Sequence, residues 1–422
     1  MRTTGALIAA LCATVGTAVL PPGPAQAVEV SPYAFDGDAQ RITGAASSLD
    51  AQPLKAGATY RDTIKKDGKL YYRVDLDDED NAYVSVVAVP RPGIEAAYGD
   101  GIRVSLQDGS DHRCGAQDVT FGSAGFTRPL AAYAHRTIET GGSTCRQAGA
   151  YYVLVERTSA SASASANDDW ELEIRHLTEP AVREPGPTAL PETWPSSTPP
   201  PPAGGPRRRQ GGAGFQNATS LRQGEWRADI APGQTLFYRV PVDWGQQIFA
   251  TAELGSSLSG DGYVGNALVL SLDNPARGHV DRGTLGYGGG PATLALGPQR
   301  PVAFTNRYAS GNATNALRFA GWYYLSATLS PDVAQTYGDK PMPLTVRVSV
   351  TGTAKTGPAY DGDPGPFAVT ADDRDAAASG RSGPQAAKSD SMRFVAAAGF
   401  GTGAALLLGL GAWTVLARRR TA

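Results

Sequence analysis

The chain has 422 residues, enough for two or three domains, and its charges nearly balance, with 38 lysines and arginines against 40 aspartates and glutamates. The lack of a basic excess argues against a nucleic-acid-binding surface, which must neutralise many phosphates. Three cysteines are too few for a disulfide-dense mini-domain or a cluster of zinc sites. Composition therefore favours a multidomain protein that does not bind nucleic acid.

The N-terminus has the features of a secretory signal peptide. Met1-Arg2 precedes an apolar stretch from Ala6 to Leu20, and Ala25-Gln26-Ala27 supplies the small residues at which signal peptidase cuts. We predict a signal peptide over residues 1–27. The alternative, an uncleaved membrane anchor, fits less well because the apolar stretch is short and prolines follow it.

The C-terminus predicts a transmembrane helix over residues 394–417. This stretch carries no charge, and at 1.5 Å per residue it spans about 36 Å, enough to cross a hydrocarbon core of ~30 Å. Arg418-Arg419-Arg420 follow directly, so the positive-inside rule places residues 418–422 in the cytoplasm. We therefore predict a single-pass protein of the cell membrane whose N-terminal part is extracellular.

Two segments with the composition of linkers divide the predicted extracellular part. Residues 179–214 hold ten prolines, which predicts a semi-rigid Pro-rich linker. Residues 352–391 are rich in glycine, proline and aspartate and predict a flexible stalk. This division leaves a first domain at residues 28–178 and a second at residues 215–351.

The two predicted domains match each other in sequence. At an offset of 166 residues, Leu70-Tyr71-Tyr72-Arg73-Val74 falls on Leu236-Phe237-Tyr238-Arg239-Val240. After a six-residue insertion the offset becomes 172, and Arg128-Pro129-Leu130 falls on Arg300-Pro301-Val302. Ordered matches of this kind indicate tandem copies of one fold.

The pattern inside each copy is that of β-strands. Leu70, Tyr72, Val74 and Leu76 occupy alternate positions, the period expected of a half-buried strand. Turn formers separate such segments, and no long helical period occurs away from the two ends of the chain. We predict an all-β fold of two tandem β-sandwich or jelly-roll domains, plus the C-terminal transmembrane helix.

Three segments of the first copy carry a family resemblance. They are the aromatic strand Leu70–Val74, the strand and polar turn Ile102–Gly109, and the closing strand Gly149–Val155. Together they resemble the bacterial pre-peptidase C-terminal domain, and the composition, rich in alanine, glycine, arginine and proline, is typical of actinobacteria. The resemblance implies a secreted β-sandwich with a noncatalytic accessory role.

The cysteines predict one disulfide. Once the signal peptide is removed, Cys114 and Cys145 remain, and a pair outside the cell should be oxidised. Both lie in the first copy, so the fold of the second copy does not depend on a disulfide.

No established catalytic motif occurs: there is no Gly-x-Ser-x-Gly, His-Glu-x-x-His, phosphate-binding loop or Cys-x-x-Cys. Asp108, Asp111 and His112 form the nearest approach to a catalytic or metal cluster, but they also fit a polar loop. The run Asp75–Asp80 suits calcium or a charged turn. Six tyrosines form pairs whose outward members could stack on sugars, and these are Tyr71, Tyr72, Tyr151, Tyr152, Tyr323 and Tyr324.

The sequence predicts no enzyme, no catalytic residue, no cofactor and no metal site. The favoured interpretation is a noncatalytic, membrane-anchored binding or assembly module of the cell envelope, with an envelope protein or wall glycan as its partner. Two alternatives remain open. One is a peptidase-associated or hydrolytic surface protein whose site is unrecognised, and the other is a structural spacer.

Overall fold

The computed structural model of the protein describes residues 32–138, 144–160, 164–184 and 186–388. The predicted signal peptide, transmembrane helix and cytoplasmic tail lie outside the described residues. Among the residues that are described, no helix is long and apolar enough to cross a membrane.

The first repeat consists of ten strands in two five-stranded sheets, with orders β1-β3-β10-β5-β8 and β2-β4-β9-β6-β7. Apolar side chains at alternate positions of both sheets meet between them and form the core. The strands are β1 (Gln40–Arg41), β2 (Gln52–Pro53), β3 (Thr59–Ile64), β4 (Lys69–Leu76), β5 (Asn81–Val89), β6 (Gly101–Gln107), β7 (Arg113–Thr120), β8 (Leu130–Arg136), β9 (Gly149–Thr158) and β10 (Trp170–Glu179).

The second repeat also has ten strands, in the orders β11-β13-β20-β15-β18 and β12-β14-β19-β16-β17. The strands are β11 (Pro206–Arg208), β12 (Thr219–Ser220), β13 (Gly224–Ile230), β14 (Thr235–Val242), β15 (Gln247–Leu254), β16 (Val264–Asp273), β17 (His279–Tyr287), β18 (Ala292–Ala295), β19 (Gly321–Leu329) and β20 (Met342–Thr351). Three helices accompany them, α1 (Asn312–Asn315), α2 (Asp332–Tyr337) and α3 (Ala371–Ser379). The prediction of an all-β protein built from sandwiches is confirmed.

The two repeats share one strand order and one register. Tyr72 of β4 lies opposite Val153 of β9, and Tyr238 of β14 lies opposite Leu325 of β19. The first members of these pairs are 166 residues apart and the second members 172 apart, so the offsets of the sequence match reappear as the register of the sheets.

One of the sequence matches was wrong. Leu130 begins β8 and pairs with Ala88, whereas the strand that occupies the place of β8 in the second repeat is β18, where Ala292 pairs with Leu254. Val302, which the sequence match set against Leu130, lies after β18 and outside any strand. The Arg-Pro dipeptide shared by the two segments produced a false match. The insertion in the second repeat lies after β18, and the sequence match had placed it before that strand.

The four sheets stack as four layers. We call β1-β3-β10-β5-β8 the inner sheet of the first repeat, because its outward face packs on the second repeat. The inner sheet of the second repeat is β12-β14-β19-β16-β17. Its equivalent in the first repeat is β2-β4-β9-β6-β7, the sheet that faces away from the interface. The repeats therefore contact each other through non-equivalent faces, an arrangement of head against tail.

Aromatic side chains fill the interface between the repeats. Tyr83 and Tyr133 of the first repeat pack with Phe319 and Phe367, which follow or belong to the second. A second cluster on the same interface contains Val87, Ala131, Phe215, Phe237 and Tyr324. Because all these side chains are buried, the two repeats form one packed unit.

Two buried ion pairs cross the same interface. The Arg277 guanidinium lies 2.5 Å from the Glu173 carboxylate, and the Arg307 guanidinium lies 2.8 Å from the Glu179 carboxylate. All four side chains are at most 3% exposed. A buried charge is strongly destabilising without a partner of opposite sign. Each ion pair therefore favours the one relative position of the repeats in which its two residues meet.

The prediction of a semi-rigid linker over residues 179–214 is corrected in its described part. Arg183 and Ala181 form backbone hydrogen bonds with residues 359–361, and residues 206–208 form strand β11 beside β13. Composition identified a segment that cannot build its own core. It did not reveal that proline rings and free carbonyl groups can pack on a neighbouring surface.

The described part of the predicted flexible stalk, residues 352–388, also packs on the protein. Phe367 is fully buried, the Tyr360 hydroxyl donates to Glu179 at 2.7 Å, and the Trp322 indole donates to Asp373 of α3 at 2.7 Å. Thr370 and Asp373 form a capping box that fixes the start of α3. Two aromatic residues and the polar contacts of α3, including an ion pair of Arg374 with Asp243, dock a segment whose average composition is that of a flexible chain.

The predicted disulfide between Cys114 and Cys145 is confirmed. It closes a loop of 31 residues, for which the chain-entropy model gives a stabilisation of about 3–4 kcal/mol. We expect the double substitution of Cys114→Ser and Cys145→Ser to lower the free energy of unfolding by that amount in urea titrations. Reduced wild-type protein should show the same loss, and equal stability of the oxidised and reduced forms would contradict the expectation.

Candidate functional site

A cleft of about 580 Å³ lies where the Pro-rich segment crosses the second repeat. Trp194, Trp244 and Phe304 line it, and we call it the tryptophan cleft. The walls come from residues 186–195, the turn at Trp244 and Gly245, residues 300–306, and residues 355–358. Four segments that are distant in sequence therefore build one mainly apolar cavity, the usual composition of a binding site.

Polar contacts hold the Pro-rich wall of the cleft in place. The Gln247 side chain donates to the carbonyl of Pro195 at 2.7 Å, and Arg300 donates to the carbonyl of Pro191 at 3.2 Å. The Arg300 guanidinium also lies 5.5 Å from the centre of the Trp194 ring. Because the wall is anchored at these points, the cleft is formed before any ligand arrives.

The floor of the cleft is fixed by backbone hydrogen bonds. Gly245 donates to Val302, and Val302 donates to Gln246. Gly357 lies against the indole of Trp244, and a Cβ added at Gly357 would come within 2.3 Å of the indole nitrogen. Only glycine at position 357 allows this approach, which leaves Trp244 7% exposed.

The charged residues of the rim are mainly basic. Arg300 and Lys355 line the cleft, together with the carboxylate Glu184. An apolar cavity with this rim favours a ligand that combines apolar groups with negative charge.

The candidate cluster of Asp108, Asp111 and His112 lies at the exposed tip of the β6–β7 hairpin. Asp108 accepts hydrogen bonds from the backbone N–H groups of Ser110 and His112, and its carboxylate lies 3.4 Å from the His112 ring. These contacts are those of a turn closed by an aspartate side chain. The structure brings the three residues together, but as a turn on the surface and not in a cleft.

The second repeat has the same turn with different residues. Asn274 occupies the position of Asp108 and accepts the equivalent backbone hydrogen bonds. Arg277 occupies the position of Asp111, and both Arg277 and Asp111 have a left-handed backbone with φ near +60°. Arg277 reaches across to Glu173 of the first repeat. In the second repeat the turn thus serves the contact between repeats.

Arg136 binds the backbone of the acidic run Asp75–Asp80. The fully buried guanidinium of Arg136 donates to the carbonyls of Asp77 and Asp80, which occupies backbone oxygens that a calcium ion would need. The Asp77 carboxylate accepts from the backbone N–H groups of Glu79 and Asp80. Across the described residues, no three histidine, cysteine, aspartate or glutamate side chains are placed to hold a metal ion.

The tyrosine pairs divide between core and surface, as expected for neighbours on a strand. Tyr72, Tyr151 and Tyr323 are buried in the two cores. Tyr71 and Tyr152 are half-buried on the outer face of the first repeat, while Tyr324 is buried against that repeat. The first repeat therefore keeps two tyrosines at positions where the second repeat has interface aromatics.

No protein-family model matches this chain, and no curated protein matches it. The resemblance to pre-peptidase C-terminal domains therefore stays a prediction.

Several solved structures resemble the chain weakly. The tandem CBM22 domains of Xyn10C from Paenibacillus barcinonensis share 12% identity, with a TM-score of 0.17, over 71% of this chain and 92% of that one. Tandem CBM51 modules of a family 98 glycoside hydrolase from Streptococcus pneumoniae share 8% identity, with a TM-score of 0.19, over 69% and 83%. A Broad Bean Stain Virus structure shares 10% identity, with a TM-score of 0.20, over 76% and 95%. Similarities at this level carry no argument about function.

Sequence reasoning missed the tryptophan cleft. Its residues are spread over positions 182 to 358, and no strand pattern links them. One available signal was Trp194, a large aromatic residue among prolines, which is unexpected in a segment exposed to water.

Proposed function

We propose that the protein is a noncatalytic binding module of the cell envelope, held at the outer face of the membrane, and that its tryptophan cleft binds an extended segment of another envelope protein. The observation that carries this proposal is the preformed, mainly apolar cleft with Arg300 and Lys355 at its rim. The occupant is a chain segment that presents apolar side chains flanked by aspartate or glutamate.

The shape of the cleft favours a peptide over a wall glycan. Sugars stack on open aromatic faces, and Trp244 is 7% exposed while the Trp194 ring carries the Arg300 guanidinium. Extended peptides bind in grooves lined by aromatic and proline rings, where the rigid walls reduce the entropy lost on binding. The Pro-rich wall already lies in such contact with the second repeat.

Photo-crosslinking in intact cells tests the proposal. The full chain would carry a photoreactive phenylalanine at Thr305, which lines the cleft, or at Tyr263, which is 74% exposed on the β15–β16 loop. We expect one envelope protein to crosslink from position 305 and not from position 263. The crosslinked segment of that partner should contain apolar and acidic residues.

A charge reversal at the rim provides the matched comparison. Lys355→Glu should lower the crosslinking yield about fivefold, the effect of losing roughly 1 kcal/mol from one charge pair. Lys340→Glu makes the same change on an exposed turn before β20 and should leave the yield unchanged. Crosslinking to glycan alone, or equal yields from positions 305 and 263, would count against a peptide-binding cleft.

A further inference from the structure

A second cavity, of about 300 Å³, lies at the edge of the second repeat, between strand β11 and the turn that precedes β13. We call it the arginine cavity, because Arg207 of β11 and Arg222 of the turn line it. Trp226 also lines it, and the Arg209 guanidinium lies 4.5 Å from the centre of the Trp226 ring. Three guanidinium groups therefore gather at one edge of the sandwich.

These three arginines have no carboxylate partner among the described residues. Within that part of the chain, the side chains of Arg207 and Arg222 form no ion pair and no hydrogen bond. Arg209 donates to the backbone carbonyls of Ser220 and Ala378, which are neutral acceptors. Burial, followed by the charges of Arg222 and Arg207, lowers the pKa of Arg209. The protein itself therefore leaves these positive charges without a counterion.

The one carboxylate among the lining residues, Glu225, points away from the arginines. Residues that face each other across a strand pair point to the same side of the sheet, and neighbours on one strand point to opposite sides. Arg207 faces Trp226, which is buried in the core, so both point to the inner side. Glu225 therefore points to the outer side, where its carboxylate pairs with Arg347 at 3.2 Å.

The fold does not require these arginines. In the first repeat, Gln40 occupies the position of Arg207 and Ile42 that of Arg209, by strand register and by equivalent backbone hydrogen bonds. Ile42 packs against the core of its repeat. Only the turn is basic in both repeats, and its residue in the first is Lys55. Gathering like charges costs free energy, so the two added arginines indicate a role beyond packing.

The arginine cavity lies beside the segment that leads to the predicted transmembrane helix. Arg209 donates to Ala378, and Gly380 lies directly against the Arg209 guanidinium. The predicted helix begins at residue 394, so at ~3.6 Å per residue the intervening chain reaches at most about 50 Å. A tether of this length holds the cavity near the membrane surface at a high effective concentration of lipid headgroups.

We propose that the arginine cavity binds the phosphate of an anionic phospholipid headgroup and so holds the second repeat against the membrane. This inference rests on the membrane anchor of the proposed function. Guanidinium groups present their N–H donors in a planar fork that matches phosphate oxygens, and several of them can share one phosphate. A volume of about 300 Å³ suits a headgroup, since it is at the lower end of the range of small-ligand sites.

Native mass spectrometry of the full chain tests the site. The protein would be released from detergent micelles that contain equal amounts of phosphatidylglycerol and phosphatidylcholine. Both lipids carry the same phosphodiester, but the choline group cancels its charge. We expect the chain to retain phosphatidylglycerol at least about fivefold more than phosphatidylcholine, the effect of one or two arginines near an anionic headgroup.

Substitutions locate the bound lipid. Arg207→Gln introduces the residue of the first repeat, and we expect it and Arg222→Gln each to weaken phosphatidylglycerol binding about tenfold. Arg208→Gln makes the same change on the same strand, but Arg208 pairs with Asp229 at 2.6 Å on the outer side of the sheet. It should weaken binding less than about twofold. Thermal melting of each variant confirms that it is folded.

A free phosphate is the other source of the same chemistry, and competition distinguishes the two. We expect millimolar inorganic phosphate to leave most of the lipid bound, compared with chloride at the same ionic strength. Full displacement by phosphate alone would show that the cavity takes a free phosphate and would overturn the lipid assignment.

Two further outcomes would overturn the proposal. One is equal retention of the two lipids, and the other is equal losses in the Arg207→Gln and Arg208→Gln variants, which would show a general attraction to basic residues. Arg418-Arg419-Arg420 also attract anionic lipid, but they are the same in every variant. A chain that retains neither lipid would contradict the membrane anchor itself, whereas the other results leave the anchor and the tryptophan cleft standing.

Discussion

Substitution of Arg277 by alanine is expected to lower the free energy of unfolding by about 3–5 kcal/mol, because it leaves the buried Glu173 carboxylate without its counterion. Glu173 is fully buried, and among the described residues its other hydrogen bonds come from the Tyr33 hydroxyl and the backbone N–H of Asp36. These neutral donors cannot replace a guanidinium charge. Urea titrations of the purified protein measure the loss.

The first repeat supplies a matched control for this substitution. Asp111 occupies the equivalent place on its own hairpin, also with a left-handed backbone, but lies exposed. Asp111→Ala should lower the free energy of unfolding by no more than about 1 kcal/mol, since alanine adopts the left-handed conformation less readily than aspartate. Adding Glu173→Gln to Arg277→Ala should recover part of the loss, since the uncompensated charge is then gone. Equal effects at positions 111 and 277 would mean that the loss comes from the backbone of the turn.

The same comparison explains why the contact between repeats occurs once. Where the second repeat has Arg277, the first has Asp111, and where the first repeat has Glu173, the second has Thr345. On the sheet β11-β13-β20-β15-β18 of the second repeat, half-buried Arg347 pairs with Glu225 and Glu253. Head-to-tail contacts tend to propagate, and these polar replacements remove the features that a third repeat would need.

Strand positions and the core were predictable because a half-buried strand has a strict period of two. Leu70, Tyr72 and Val74 illustrate this, and each repeat confirms the pattern through its own core. The interface between the repeats was harder to predict. There the inner sheets are buried on both faces, so their strands lose the alternation of apolar and polar residues. The signal was the almost unbroken apolar run of β5, Asn81–Val89, which is typical of a strand covered on both sides.

The candidate sites were predicted poorly for a different reason. A motif search finds groups that are close in sequence, such as Asp108, Asp111 and His112, and these formed a turn. The tryptophan cleft combines residues from distant segments, so only the folded chain brings them together.

Glu179 is the second position at which we expect a substitution to cause a large loss of stability. Its carboxylate accepts hydrogen bonds from Arg307, Tyr360, Tyr83 and Asn81, at 2.7–2.9 Å, and it has no exposed surface. It thus joins the first repeat, the second repeat and the segment after β20. Glu179→Ala should lower the free energy of unfolding by about 3–5 kcal/mol, because Arg307 is then a buried cation without a partner.

A control on the same strand separates this effect from a general loss of charge. Glu171 of β10 pairs with Arg61 at 2.7 Å, but the two side chains are 48% and 30% exposed. Glu171→Ala should therefore cost no more than about 1 kcal/mol, the usual value of an exposed ion pair. Similar losses at positions 171 and 179 would contradict the importance of the buried contacts.

The pH dependence of stability provides an independent test of Glu179. Burial alone would raise its pKa, but the charge of Arg307 and the hydrogen bonds from Tyr360 and Tyr83 lower it below the ordinary value. A lowered pKa in the folded state means that the stabilisation is complete above the unfolded pKa of about 4.3 and is lost as the pH falls through the folded pKa. We expect wild-type stability to fall more steeply below about pH 4 than that of Glu179→Gln, in which no proton can be taken up at this position. Parallel curves of stability against pH for the two proteins would show that protonation of Glu179 does not contribute to acid unfolding.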